Sequence, residues 1–312
     1  MRSFYYIIIA SLLLTGGLFA DSKEEKAAMQ KLPSRITYEV QGQNFGKNLI
    51  SYMHAKWISY SNKIPLLIKP FPYSNQLALY ASEKKLNDQG VWNSTLTIDD
   101  ENDVIYMDPA KTLYIVPYFQ EIDPEYQETP IPYFSVNWKD KEFMNQIREM
   151  IKPTSGFTPF KLPKGRVTVA VHVKRKANGD TSDDSEMALL KYPPDEFYIN
   201  QIKRLSEKFK SRPMYVYIFT NHRNPGVIGK AFQEAANAPH ITFDWRRTGN
   251  HQKGNIVDDF FNMSRFSCLI RPQSNFSIAA ELCGSFSLVI KPVKARWSPG
   301  KNKYVISQIK AN

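Results

Sequence analysis

The chain has only two cysteines in 312 residues, Cys268 and Cys283. That excludes a disulfide-rich scaffold and a zinc site built on thiolates. Beyond residue 20 no stretch is long and apolar enough to span a bilayer. There is no internal repeat and no low-complexity tract. The Walker lysine–serine spacing and the dinucleotide pattern G-x-G-x-x-G are both missing. Acid is missing from the C-terminus: after Glu281 come Lys291, Lys294, Arg296, Lys301, Lys303 and Lys310 with no Asp or Glu. This tail reads as a solvated basic face or as a field that attracts an anion.

What remains is near the globular average. Apolar residues make up 42% and charged residues 23%, enough for a core and too apolar for wholesale disorder. With 13% aromatics and 20 prolines, a long coiled coil is excluded. Against 41 basic residues stand 30 acidic ones, a formal charge of +11. An anionic partner follows: phosphate, nucleotide, nucleic acid or lipid surface. The cations are scattered rather than striped and carry no nucleic-acid-binding motif, so nucleic acid is set aside.

Phe4 to Ala20 holds no charge; Arg2 precedes it and Asp21-Ser22-Lys23-Glu24-Glu25-Lys26 follows. This is the pattern of a secretory signal, cleaved after Ala20, or of a short retained anchor. The expected location is exported: periplasmic, secreted or lumenal, with membrane contact only if the segment stays attached.

Residues 21–34 read as a polar leader. A strand at Ile36–Val40, a helix at Asn48–Tyr60 and a strand at Ile64–Ile68 open a first α/β unit. A strand at Thr112–Val116 follows, then a proline-rich surface loop from Pro117 to Pro132 and a helix at Lys139–Ile151. A second unit opens at Arg166. Strands are expected at Val167–Val171, Met214–Phe219, Ile241–Phe243, Cys268–Ile270 and Phe286–Ile290. Helices are expected at 195–210, Pro225–Ala236, Ile256–Ser264 and Phe276–Leu282. This alternation predicts a doubly wound parallel sheet. The division expected is 35–160, an acceptor-side domain, and 161–312, a donor-binding domain. Ligands of such sheets bind beyond the carboxyl ends of the strands, so motifs there carry the most weight.

Four segments qualify. His172-Val173-Lys174-Arg175-Lys176-Ala177-Asn178-Gly179-Asp180 puts three cations and a histidine after a strand, where they clamp a diphosphate leaving group or form a solvated turn. Thr220-Asn221-His222-Arg223 is a weaker turn of the same kind. Asp259, Ser264 and Ser274-Asn275-Phe276-Ser277 surround a strand-to-helix handover, either a phosphate site or an ordinary N-cap. Gly42-Gln43-Asn44-Phe45-Gly46 makes a tight turn between the first strand and helix.

Together these segments resemble the fucosyltransferase superfamily that includes α-1,2-, α-1,6- and protein O-fucosyltransferases. Gly42, Asn44 and Gly46 are similar to the G-x-x-G-N-Q turn of the α-1,2 branch. His172-Val173-Lys174-Arg175 with Asp180 resembles H-x-R-R-x-D, with Lys174 in the place of the first arginine. Asp259, Ser264 and Ser274–Ser277 resemble the later Asp…S and S-S-F-S motifs. The resemblance spans residues 38–290 and implies a GT-B-like fold: α/β, with two Rossmann-like units facing a cleft. It implies GDP-fucose as donor, a glycan acceptor, no metal or other cofactor, and inversion at the sugar carbon. Arg175 or Lys174 would stabilise departing GDP. Asp259 would bind guanine, Ser274, Asn275, Phe276 and Ser277 the pyrophosphate, and His172 would shape the pocket. Asp180 is the displaced acid, with Asp183, Asp184 and Glu186 nearby as other candidates for general base.

Other readings remain: a transferase for another nucleotide sugar, a member that binds nucleotide or glycan without turnover, and a metal-dependent enzyme using Asp99–Asp103. Tyr118, Phe119, Tyr126, Tyr133 and Phe134 either line an acceptor groove or pack. Cys268 and Cys283 either pair or remain two buried thiols. Sequons at Asn93, Asn262 and Asn275 matter only in a eukaryotic host.

Overall fold

Short apolar strands build a first parallel sheet. β1 (Arg35–Tyr38) leads into α1 (Phe45–Asn62), followed by β2 (Leu67–Ile68), α2 (Leu79–Ser82), β3 (Lys84–Lys85), β4 (Ser94–Thr97), β5 (Thr112–Val116) and α3 (Lys141–Met150). These come from a computed structural model that describes residues 34–88, 92–98, 112–118, 136–154, 157–176, 185–250 and 256–312. The proposed signal, Asp99–Asp103, Phe119–Phe134, Asp180, Asp183 and Asp184 lie outside the described residues.

β1, β5 and β4 pair in parallel in that order. The Ile36 N–H donates to Pro65 O at 3.1 Å and Thr37 Oγ1 to Leu67 O at 2.9 Å, which brings β2 beside β1. The strand expected at Ile64–Ile68 shrinks to two residues, with Pro65, which has no N–H to give, just before it. β4 was not foreseen: it is polar and exposed, as suits a sheet edge, and shows no apolar alternation.

The second sheet is longer and better marked. β6 (Val167–Val173) is buried at every residue, the mark of a central strand covered on both faces. After it come α4 (Glu186–Lys191), α5 (Asp195–Lys208), β7 (Met214–Thr220), α6 (Pro225–Ala236), β8 (Ile241–Trp245), α7 (Ile256–Met263), β9 (Cys268–Ile270), α8 (Asn275–Cys283), β10 (Leu288–Ser298) and β11 (Lys303–Ala311). The order is β11-β10-β9-β6-β7-β8, all parallel except β11. The chain winds outward through β7 and β8, then returns to the other side of β6. The reversal falls between β6 and β9, and a ligand crevice is expected there.

Three expectations need correction. β6 runs two residues further than expected, because His172 and Val173 still pair with Phe219 and Thr220. His172 is thus the penultimate strand residue and not part of a turn. α4 was missed in what had looked like an acidic loop; the Ser185 side chain starts it by accepting the Ala188 N–H at 3.1 Å. The basic tail is a ribbon of β10 and β11: Lys294, Arg296, Lys301 and Lys303 are exposed, as a solvated face requires, but Lys291 is buried against Glu281.

The core is continuous between the sheets. One apolar cluster includes Ile36, Leu49, Tyr52 and Met53 from the first and Phe260, Leu269, Ile278 and Ala279 from the second. A separate cluster under α5 and α6 holds Val169, Val171, Val216, Tyr198 and Phe232. Cys268 and Cys283 are both buried free thiols, one in each cluster.

Candidate functional site

Two helix N-termini meet above the β6–β9 reversal. α1 enters through Gly42, whose φ of +54° favours a residue without Cβ, and through Asn44, whose Oδ1 accepts the Lys47 N–H at 3.1 Å. Asn48 folds back on the same turn: its Oδ1 accepts the Gln41 N–H at 2.6 Å and its Nδ2 donates to Gly42 O at 3.0 Å. At the second residue of α1, Gly46 touches α8. A Cβ there would lie 2.6 Å from the Phe276 nitrogen and 2.7 Å from the Asn275 carbonyl carbon. Both contacts are backbone and cannot swing away, so only glycine allows this approach. The turn at 42–46 and the turn at 274–277 thus form one wall.

Ser274 stands at the N-cap of α8, yet its hydroxyl makes no capping bond. The first N–H groups of a helix have no partner inside the helix. Beside them the Asn275 Oδ1 is buried without a hydrogen bond. The turn itself is held firmly. The Gln273 N–H donates to Leu190 O and its Nε2 to Pro292 O, both at 2.9 Å, and Ser277 Oγ donates to Ser274 O at 3.2 Å. An ordinary cap would bond the serine hydroxyl to the helix; here it does not.

His172 lies 5.5 Å from the Phe276 ring, centre to centre, and is 7% exposed. Its Nδ1 is buried without a partner. Burial first, then Lys174 and Arg271, push its pKa down to about 3, so the ring is neutral at physiological pH. Lys174 remains on this side of the strand end. Its Nζ sits 5.5 Å over Tyr192, which follows the α4 residues that grip Gln273. Arg271, at the end of β9, is 3% exposed; it pairs with Glu281 and donates to Pro272 O at 3.0 Å. Glu281 also takes Lys291 at 3.4 Å, so one acid ties two buried cations together. Arg271 and Lys291 were given no individual role from the sequence.

Arg175 is placed differently from its neighbour. Its guanidinium pairs with Asp195, the first residue of α5, below the opposite face of the sheet. Its backbone is fixed as well: the N–H donates to Asn221 Oδ1 at 2.7 Å and the O accepts from Asn221 Nδ2 at 2.9 Å. Asn221 therefore ties the end of β6 to the end of β7. Of the two cations singled out, Lys174 lies over Tyr192 and acts on His172, while Arg175 pairs with Asp195.

Asp259 pairs with Arg246 at the end of β8. Burial pushes its carboxyl up to about 6, against the pull of Arg246 and with a small push from Asp258. Arg246 Nε is buried without a partner. Glu186, the one described member of the expected acid group, accepts the Ala295 N–H at 3.0 Å and so anchors α4 to β10. Asn262 is fully buried; its Oδ1 takes the Phe160 N–H at 2.7 Å and its Nδ2 donates to Thr158 O at 3.3 Å. That sequon is structural and closed to a glycan. Ser264 Oγ donates to Phe261 O at 3.0 Å, closing α7.

No protein-family model matches the chain, and no curated protein matches it. Solved structures similar to it in shape are fucosyltransferases. POFUT1 in complex with GDP-fucose aligns with 82% of this chain and 96% of its own at 10% identity, TM-score 0.46. The α-1,6-fucosyltransferase NodZ, known from Bradyrhizobium and here soaked with GDP-fucose, aligns with 90% of this chain and 99% of its own at 14% identity, TM-score 0.49. A mutant of Arabidopsis thaliana FUT1 in complex with GDP aligns with 92% and 83% at 11% identity, TM-score 0.46. At such values they assign no residue and no chemistry to this chain.

Proposed function

We propose that the chain is a glycosyltransferase that takes a sugar, fucose first among candidates, from a GDP-sugar and passes it to a glycan acceptor. One observation carries this reading: a neutral His172, a cationic Lys174 and the uncapped α8 N-terminus converge at the switch point of a parallel sheet. Helix N-termini and cations at such a point suit a diphosphate. The unpartnered Nδ1 of His172 and Oδ1 of Asn275 suit a ligand with its own donors and acceptors.

In the proposed reaction the bond from sugar C1 to the β-phosphate oxygen breaks and GDP leaves with the electron pair. Lys174 and the first N–H groups of α8 take up the growing phosphate charge, with Arg271 as a fixed positive charge behind them. The acceptor oxygen bonds to C1 from the opposite face and its proton passes to a base; Asp180 is the sequence candidate. The charges of these side chains would serve without a metal ion. Asp259 would contact guanine by exchanging Arg246 for the base. The N-terminal apolar segment would send the enzyme out of the cytoplasm.

A second reading has an observation of its own. Arg175 is held by Asp195, and lysine gives phosphate a point charge where arginine gives a fork. A member that binds nucleotide without turnover fits both facts. Calorimetry of the chain with GDP, UDP and ADP, with and without EDTA, is the first test. Selective, EDTA-insensitive GDP binding supports the site, and GDP release from GDP-fucose then separates turnover from binding alone. No nucleotide binding would end both readings.

A further inference from the structure

The ladder between β6 and β7 ends where Val173 stands level with Thr220. Just beyond it the Asn221 side chain supplies one more rung. Its Oδ1 accepts the Arg175 N–H at 2.7 Å and its Nδ2 donates to Arg175 O at 2.9 Å. Among side chains only an amide offers a carbonyl oxygen and an N–H side by side, as a peptide group does.

Asn221 is itself braced. Asn250, in the turn after β8, donates from Nδ2 to Thr220 O and to His222 O, the latter at 2.9 Å, and from its N–H to Arg223 O at 3.1 Å. The residues on both sides of Asn221 are therefore held from β8. One asparagine pins the turn after β7, and the other carries that hold to the end of β6.

These bonds do little for the fold. Asn221 is exposed, and water replaces an exposed hydrogen bond at small cost. What they fix is the backbone on either side of Lys174. Val173 is held in the ladder, and Arg175 is held at its N–H, at its O and, through Asp195, at its guanidinium. Lys174 keeps the rotation of its side chain but not that of its backbone.

We propose that Asn221, braced by Asn250, is a positioning residue that sets the end of β6 so that Lys174 meets the leaving diphosphate from a fixed place. This rests on the function proposed above. A charge-stabilising group acts fully only when its place is settled before the reaction, which gives an exposed pair of asparagines their use.

The clamp is read first without nucleotide, on the full chain. In Asn221→Ala the Arg175 amide should exchange with solvent faster by about tenfold or more, while the urea midpoint stays close to that of wild type. Turnover of GDP-fucose then reads the role. Asn221→Ala should lower kcat by about tenfold with KM little changed, and Asn250→Ala should lower it less. In a Lys174→Ala background Asn221→Ala should cost less than about twofold, because the group it acts through is gone. In an Arg175→Ala background, which keeps the backbone bonds, it should cost its full factor. If the chain binds GDP without turning it over, GDP affinity is read through the same cycle. Equal losses in all three backgrounds would mark a structural role and overturn the proposal, as would an unchanged exchange rate at Arg175. A wild-type chain that binds no GDP fails earlier and overturns the function on which the proposal rests.

Discussion

The two helices that meet in the cleft begin in opposite ways. α1 closes its own N-terminus: Asn44 takes the Lys47 N–H, and Asn48 stitches the preceding turn. α8 leaves its end open, since Ser274 occupies the cap position without a capping bond. The same physical need, partners for orphan N–H groups, is met by a side-chain cap at α1 and not by one at α8; in the proposed function a ligand meets it there. One terminus serves the fold and the other the site, and Gly46 joins them.

Lys174→Ala should cause the largest loss, because it removes the cation set before the open terminus. Turnover of GDP-fucose should fall by about 10²–10³-fold, the usual scale for one charge-stabilising group. Arg175→Ala, whose charge Asp195 already matches, should cost far less. If Arg175→Ala proves the more damaging in kcat, the assignment of the two neighbours is reversed.

Gly46→Ala tests the junction. The added methyl meets backbone on α8, and overpacking of this kind costs about 1–3 kcal/mol. Urea unfolding should show the loss, and GDP affinity should fall with it as the two turns part. A variant as stable as wild type would mean that the helices separate freely.

The caps give the sharpest contrast at a smaller scale. Asn44→Ala should destabilise by about 1 kcal/mol, the usual value of a working cap. Ser274→Ala removes no capping bond, so its stability should change by less than about 0.5 kcal/mol, while GDP affinity drops. Equal stability losses would show that Ser274 caps α8 after all.

The pH behaviour of His172 tests the crevice from another side. Its folded pKa, about 3, is below the unfolded value of 6.5, so the unfolded chain binds the extra proton between these limits. Stability from this group is complete above 6.5 and is lost as pH falls toward 3. His172→Gln should flatten that part of the stability profile. With only five histidines in the chain, proton NMR can follow them singly. Titration of His172 near 6.5 would place it in water.

Much of the second sheet was legible because its central strands, β6, β7 and β9, are buried on both faces and read as apolar runs. Cys268–Ile270 and Pro225–Ala236 have the expected bounds to the residue. The first unit was less legible, since Ser94–Thr97 is a strand through pairing with β5 and not through its own pattern. In the site, the strand ends and the serine turn were visible as local motifs. Arg271 was not, because its role depends on Glu281 ten residues later and on β6 lying next to β9.

The sequence by itself determined the α/β alternation, the basic balance and the positions of the turns, since periodicity, charge and turn chemistry are local. Tertiary structure decided that of two adjacent cations Arg175 pairs with Asp195 and Lys174 lies over Tyr192. It also decided that Gly46 must be glycine, that Ser274 caps nothing, and that a basic tail becomes an aromatic-tipped ribbon. Each of these follows from what the opposite surface presents, and residues far apart in the chain meet only when the sheets assemble.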